Sequence, residues 1–382
     1  MKGIGIISYG LEEIGKREVK EIINSDSKVC DGACVFPVKN FESLCELAYR
    51  AQSFSRVMFL LAEFNVRDKK EFNEQFQKKV TYSKLIKWVK KGSTFCVRCL
   101  ASHKFSKMEI AALAGEIIIK TVKKEGRFTP KASMKNPDVM INVFINRKNK
   151  VFVGVDFCGF DISKRNYKVF SHKESFKGTT SYGILRLSNF KKGLLVDPFC
   201  RSGTFVIEAA LWLSRTPVRL FEKERFAFLK LLNIDFDSFF RRIDRKATEK
   251  MPARIIGYDS MRTNIIASKK NAKIAGVEKL IEFGAFGVEW LDTKLDKKSV
   301  DAVVTRMPLC GKKANKSVVE KIYKEFFYQC EFVLKNKGVI VIATDSEKMV
   351  ENNSGAFKIV KRMEIFVGKE KQKILILKHQ KI

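Results

Sequence analysis

No apolar run in these 382 residues approaches the roughly 18–20 needed to cross a bilayer, so a membrane-spanning helix is excluded. Acidic side chains are scarce beside basic ones: 42 Asp and Glu face 74 Lys and Arg, a formal net charge of +32. Such a field selects for polyanionic partners, nucleic acid first, the plainer alternative being a lysine-rich solvated surface. A disulfide framework is missing too. The nine cysteines are odd in number and scattered, as expected of a reducing compartment. Cys96 and Cys99 form a CxxC, but TFCVRCL reads as a strand, where residues three apart face opposite ways, so no metal site is expected. The opening MKGIGIISYGLEEIGKREV turns acidic too soon for a signal peptide. These absences predict a soluble, cytoplasmic protein with no membrane contact and no disulfide-linked partner.

The positive charge is uneven. Residues 1–50 hold 7 basic and 8 acidic residues, whereas residues 51–157 hold 22 and 9. The first stretch reads as packing and the second as a contact surface. Residues 1–65 alternate strand, helix and strand (Gly3–Tyr9, GLEEIGKREVKEII, CVFPV, FESLCELAYRA, SRVMFLLAEF), a small ferredoxin-like α+β unit. Residues 66–157 follow with a helical stretch over 70–91 and the strand TFCVRCL. A long helix capped by Ser106 comes next, then a hairpin, VMINVFI and VFVGVDF, across NRKNK. Residues 158–192 read as a linker and a helix. From 193 to 382, short apolar strands (LLVD, RIIGYD, IEF, DAVVT, GVIVIATD) alternate with helices, the pattern of a parallel sheet covered on both faces. Residues 215–250 look like an inserted helical excursion, and a terminal hairpin closes the sheet.

In such a sheet, ligands bind beyond the carboxyl ends of the strands. Three ends carry informative residues: Asp197, Asp259, and the segment Thr305-Arg306-Met307-Pro308. LLVDPFCRSGTFVIEAA joins strand, tight loop and helix start, a cradle for a charged small molecule. Asp259 ends the next strand, where a carboxylate can accept from two ribose hydroxyls. The Gly-x-Gly-x-x-Gly pattern is absent and about 60 residues separate the two acids, against about 20 in dinucleotide sites, which disfavours a dehydrogenase.

With those residues in view, the chain resembles the THUMP-domain RNA methyltransferases, which methylate the exocyclic N2 of guanine in tRNA and have relatives acting on rRNA. DPFCRSGTFVIEAA matches the family's DPxCGSGTxxIEAA at all but one fixed position, and FCVRCLASHKFSKMEIAALAGEIII with NPDVMINVFINRKNKVFVGVDFCG resembles a THUMP domain. The resemblance covers nearly the whole chain. It implies a class I (Rossmann-like) methyltransferase domain preceded by an α+β ferredoxin-like and THUMP module, S-adenosylmethionine as cofactor and RNA, tRNA first, as partner. It places Asp197, Cys200, Arg201, Ser202, Gly203 and Thr204 around the methionine end of the cofactor, Asp259 on its ribose, and Thr179 and Thr180 in the same pocket. Arg98, His103, Lys104, Lys107 and Arg147 are the implied RNA contacts.

Three positions depart from the family. Arg201 replaces a glycine that permits positive φ, so it must either bear a penalty of about 1 kcal/mol or shift the loop. Its guanidinium either grips the cofactor's carboxylate or fills the pocket. The motif Asn/Asp-Pro-Pro-Tyr/Phe, whose polar groups receive the target amine, becomes Arg306-Met307-Pro308-Leu309: arginine only donates, and leucine has no stacking face. An acid is also missing after the third strand, Glu289 being the nearest. The sequence therefore predicts an RNA guanine-N2 methyltransferase with an altered target site around Arg306, Pro308 and Leu309. The alternatives are a non-catalytic RNA-binding scaffold or chaperone, an rRNA enzyme, and transfer to another atom.

Overall fold

The short apolar runs assemble into two sheets in the computed structural model, which describes residues 1–101, 104–309, 315–367 and 370–380. The chain divides into two units, residues 1–7, 15–162 and 219–242 in one, residues 8–14, 163–218 and 243–382 in the other.

The first unit holds β1 (Lys2–Ile7), β2 (Lys28–Cys30), β3 (Ala33–Pro37), β4 (Phe54–Asn65), β5 (Thr94–Ala101), β6 (Lys131–Ala132), β7 (Val139–Ile145) and β8 (Lys150–Asp156). They form one sheet in the order β2-β3-β1-β4-β8-β7-β5-β6. The segments expected as a 1–65 unit and a 66–157 unit thus share a sheet, because β4 pairs antiparallel with β8 from Met58 opposite Asp156 to Asn65 opposite Lys150. The predicted hairpin is β7–β8, its turn tied by Asn146 Oδ1 accepting from the amides of Lys148 and Lys150. Ser106 caps the helix Lys107–Gly126, accepting from the Glu109 amide at 3.4 Å. The helical stretch expected over 70–91 is shorter, Lys69–Lys79 and Tyr82–Leu85.

Within the excursion expected over 215–250, residues 219–242 pack with the first unit. Hydrophobic burial explains it. Phe226, Phe228, Phe239 and Phe240 are buried, and Phe240 packs edge-on against Tyr49 with centroids 4.9 Å apart. Buried Arg219 donates to the Ile162 carbonyl and to Glu222.

The second unit holds β9 (Gly193–Asp197), β10 (Ala253–Tyr258), β11 (Glu282–Gly284), β12 (Val300–Arg306), β13 (Leu334–Thr344), β14 (Phe357–Val367) and β15 (Glu370–His379), in the order β11-β10-β9-β12-β13-β15-β14. The first five run parallel; β15 and β14 close the sheet as the antiparallel hairpin read from the sequence. Strand order reverses between β9 and β12. That reversal leaves a crevice beyond their carboxyl ends, the place where such sheets bind ligands. Behind it, Glu208 on the helix Thr204–Leu213 is fully buried and accepts two bonds from Arg165, at 2.7 and 3.0 Å, and one from Tyr167 at 2.7 Å. The glutamate of the IEAA run therefore anchors residues 165–167. Gly178 is obligatory beside it, since a Cβ there would lie 2.3 Å from Glu208 Oε1.

Candidate active site at the β9 and β12 strand ends

Asp197 ends β9 with its side chain fully buried. Its Oδ1 accepts from Thr305 Oγ1 at 2.5 Å and from the Phe199 amide at 3.2 Å, while Oδ2 has no partner among the described residues. Burial pushes its pKa up to about 7, against the pull of the Thr305 bond and the Arg201 charge. Ser181 Oγ and Thr204 Oγ1 are also buried without a partner among the described residues. Buried polar groups are nearly always satisfied, so these orphan atoms are candidates for contact with a polar ligand.

The loop between Asp197 and the helix is wound tightly. Gly203 has φ 79° and donates its N–H to Cys200 O at 2.7 Å. Arg201 has φ 50°, so it adopts the glycine conformation and bears the penalty; the loop has not moved to spare it. Its N–H donates to Asp259 Oδ2 at 2.9 Å, and its carbonyl accepts from Ser268 Oγ at 2.8 Å. Asp259, at the end of β10, also accepts from the Met261 amide and from Asn264 Nδ2, which commits three of about four acceptor positions. Ser202 Oγ meets Ser175 Oγ at 2.6 Å, and Ser202 O accepts from Asn271 Nδ2 at 3.0 Å. Burial, followed by the neighbouring Asp197, holds the Cys200 thiol well above its usual pKa, so it stays protonated.

The guanidinium of Arg201 reaches across the crevice. It donates to Glu174 Oε2 at 2.9 and 3.1 Å, to Phe199 O at 3.1 Å, to Arg306 O at 2.7 Å and to Met307 O at 3.3 Å. The backbone acceptors at the end of β12 are therefore occupied by a side chain. Arg306 itself stacks on Phe176 at 4.4 Å and donates to Glu174 O and to Gln372 Oε1. Pro308 O accepts from Tyr323 Oη at 3.2 Å, and Leu309 is half-buried. Glu174, Ser175, Phe176, Ser181, Phe199, Cys200, Arg201, Thr204, Phe205 and Arg306 line a hollow of about 10 Å³, room for roughly one water, with the Arg201 and Glu174 side chains filling the rest.

The structure brings Cys200, Arg201, Thr204 and Arg306 into that lining. Asp197, Ser202, Gly203, Asp259, Thr179 and Thr180 lie outside that lining, and Ser181, next to the two threonines, is within it. Sequence reasoning reached the right turn of the helix Gly178–Leu187, but not the face presented. Glu174 and Phe176 were not anticipated; their only signal was position in the segment leading to that helix. Glu289 is exposed in a short turn at Val288–Trp290. Among the expected RNA contacts, Arg98 is half-buried on β5 and Lys104 and Lys107 are exposed at the start of the helix Lys107–Gly126. Lys104 donates to Arg67 O at 2.8 Å, and Arg147 pairs with Asp31 at 2.8 Å. His103 lies outside the described residues.

A family model for the RMKL-like methyltransferase domain (UPF0020) matches residues 165–373, more than half of the chain. The chain belongs to the RMKL-like methyltransferase family. A THUMP domain model matches residues 70–156. The family domain thus begins inside the segment expected as a linker, where Arg165 meets Glu208. Among similar proteins, the tRNA (guanine(6)-N2)-methyltransferase of Methanocaldococcus jannaschii is 26% identical over 352 residues, 91% of each chain. The ribosomal RNA large subunit methyltransferase K/L of Buchnera aphidicola is 25% identical over 316 residues, covering 79% of this chain and 44% of that one. The crystal structure of SMU.472 complexed with SAH superimposes with a TM-score of 0.82 at 20% identity over 100% of this chain and 98% of that one, a likeness of fold. The RMKL-like domain here is accordingly a class I methyltransferase fold.

Proposed function

We propose that this protein is an S-adenosylmethionine-dependent RNA methyltransferase acting on guanine N2, with tRNA as its substrate. The observation that carries the reading is three buried polar atoms unpartnered among the described residues, Asp197 Oδ2 at the end of β9, Thr204 Oγ1 at the start of the next helix and Ser181 Oγ in the helix Gly178–Leu187. An acceptor and two hydroxyls suit an α-amino acid: the carboxylate of Asp197 receives the ammonium, and the hydroxyls donate to the carboxylate. Asp259 keeps one acceptor position for a ribose hydroxyl. The cofactor supplies an electrophilic methyl group on a sulfonium; this chain's residues hold the ligand and orient the amine toward it, the positioning that such transfer mainly needs. The relatives named for tRNA guanine-N2 methylation and for ribosomal RNA methylation, the THUMP match and the net charge of +32 support RNA as the partner.

One observation favours a second reading, an RNA-binding scaffold: the Arg201 guanidinium covers the carbonyls of Arg306 and Met307, where an incoming amine would donate. Titration calorimetry with S-adenosylmethionine and label transfer to bulk tRNA, read as N2-methylguanosine, separate the two. Heat of binding and labelled nucleoside are expected; neither, with RNA still bound, selects the scaffold.

A further inference from the structure

We propose that Phe170, with the lysines beside it, is a stacking platform that receives an unpaired nucleotide of the RNA next to the β9 loop. The inference deepens the RNA reading above and rests on it. Single apolar side chains that reach solvent are ordinary, but Phe170 differs in how it is held. The residue is 39% exposed, yet its backbone is fixed on both sides. Its N–H donates to Asn271 Oδ1 at 3.0 Å, and its carbonyl accepts from Asn271 Nδ2 at 2.9 Å. Asn271 is fully buried, and its Nδ2 donates to Ser202 O as well. One side-chain amide therefore ties position 170 both to the helix Arg262–Ile274 and to the loop that follows Asp197. A ring whose backbone is already ordered loses little further freedom when a flat partner settles on it.

The charges around the ring select the partner. The helix Arg262–Ile274 carries four basic residues and no acid, and Arg262, Ile266, Lys269, Lys270 and Lys273 form its exposed face. Lys270 Nζ lies 4.8 Å from the centroid of the Phe170 ring. Among the described residues no ion pair engages Lys269, Lys270 or Lys273. Other exposed cations of this unit are answered: Arg254 by Glu282, Lys335 by Asp301 and Arg362 by Glu347. A nucleotide matches both features at once, its base lying on the ring and its phosphate meeting an ammonium. An apolar protein surface would cover the ring and leave the lysines unanswered. Stacking accepts any base, so the platform places the strand and does not read its sequence.

Affinity of the intact chain for bulk tRNA, measured by fluorescence anisotropy over a range of salt, tests this. Phe170→Leu keeps an apolar side chain and removes the flat face. It should weaken binding about tenfold, the size of one lost base stack, with the salt slope unchanged. Phe170→Trp retains a face and should bind at least as tightly as the wild type. Lys270→Ala should instead lower the slope of log affinity against log salt by about one. A purely structural role would weaken the Leu and Trp variants alike. That result, wild-type affinity in Phe170→Leu, or an unaltered slope in Lys270→Ala overturns the inference while leaving RNA as the partner. Wild-type protein that does not bind tRNA overturns both.

Discussion

The ends of β9 and β12 face one another across the same crevice and have been treated differently. At β9 the loop has positive φ at both Arg201 and Gly203, a buried acid and, at the start of the following helix, the unpartnered hydroxyl of Thr204. At β12 the polar receiver is replaced by Arg306, and the two carbonyls beside it are capped by a residue from the opposite end. One end leaves Asp197 Oδ2 and Thr204 Oγ1 without partners among the described residues; the other has its backbone acceptors filled. Backbone geometry at a strand end is enforced by the fold around it, whereas side-chain chemistry at its tip answers only to the substrate. The second can change without disturbing the first.

The largest effect expected from breaking this contrast lies behind the β9 end. Glu208→Ala strands Arg165 in a fully buried site and should cost about 3–5 kcal/mol in urea unfolding, whereas Arg306→Asn, at a half-exposed tip, should cost less than about 1 kcal/mol. Equal losses would erase the distinction between the two ends.

The buried acid gives a pH signature next in size. The folded pKa of Asp197 stands at about 7, above its ordinary value of 3.8, so the folded state holds the proton more tightly than the unfolded one. Its contribution to stability is full below about pH 4 and lost progressively as the pH rises to about 7. Asp197→Asn should remove that decline, a difference of a few kcal/mol across the window, measured by denaturation at pH 4 and pH 8. Ligand affinity should move oppositely in the wild type, rising through pH 7 as the carboxylate ionises to receive an ammonium.

Restoring the β12 end sharpens the comparison from the other side. Arg306→Asn with Leu309→Tyr returns an acceptor and a stacking face, and should raise methyl transfer to tRNA by about tenfold or more, positioning effects of this kind reaching about 100-fold. No gain would mean that position 306 is not what limits the reaction. The smallest effect belongs to the first unit. Lys107→Ala should lower the slope of log affinity for tRNA against log salt by about one, without altering ligand binding at either strand end.

Much of this was legible from residues alone. The parallel sheet, the terminal hairpin, the Ser106 cap and the tight loop after Asp197 are local patterns, and each stands where the sequence put it. The excursion was legible as helical but not as to its host unit, because aromatic side chains specify burial without saying against which partner. Ser181 was masked by Thr179 and Thr180, since neighbours in a helix point about 100° apart and only the packing selects one. Glu174 carried only its position in the segment leading to that helix.

The amino-acid order by itself determined the class of fold, the polar character of the β9 loop and the loss of an acceptor at 306, because these follow from periodicity, glycine placement and the donor or acceptor nature of single side chains. Only the tertiary structure decided that Arg201 keeps the glycine conformation and spans to the β12 carbonyls, and that Glu174 meets it there. Those contacts join residues 27 and 105 positions apart, and nothing local in the chain encodes which charges will share a low-dielectric pocket.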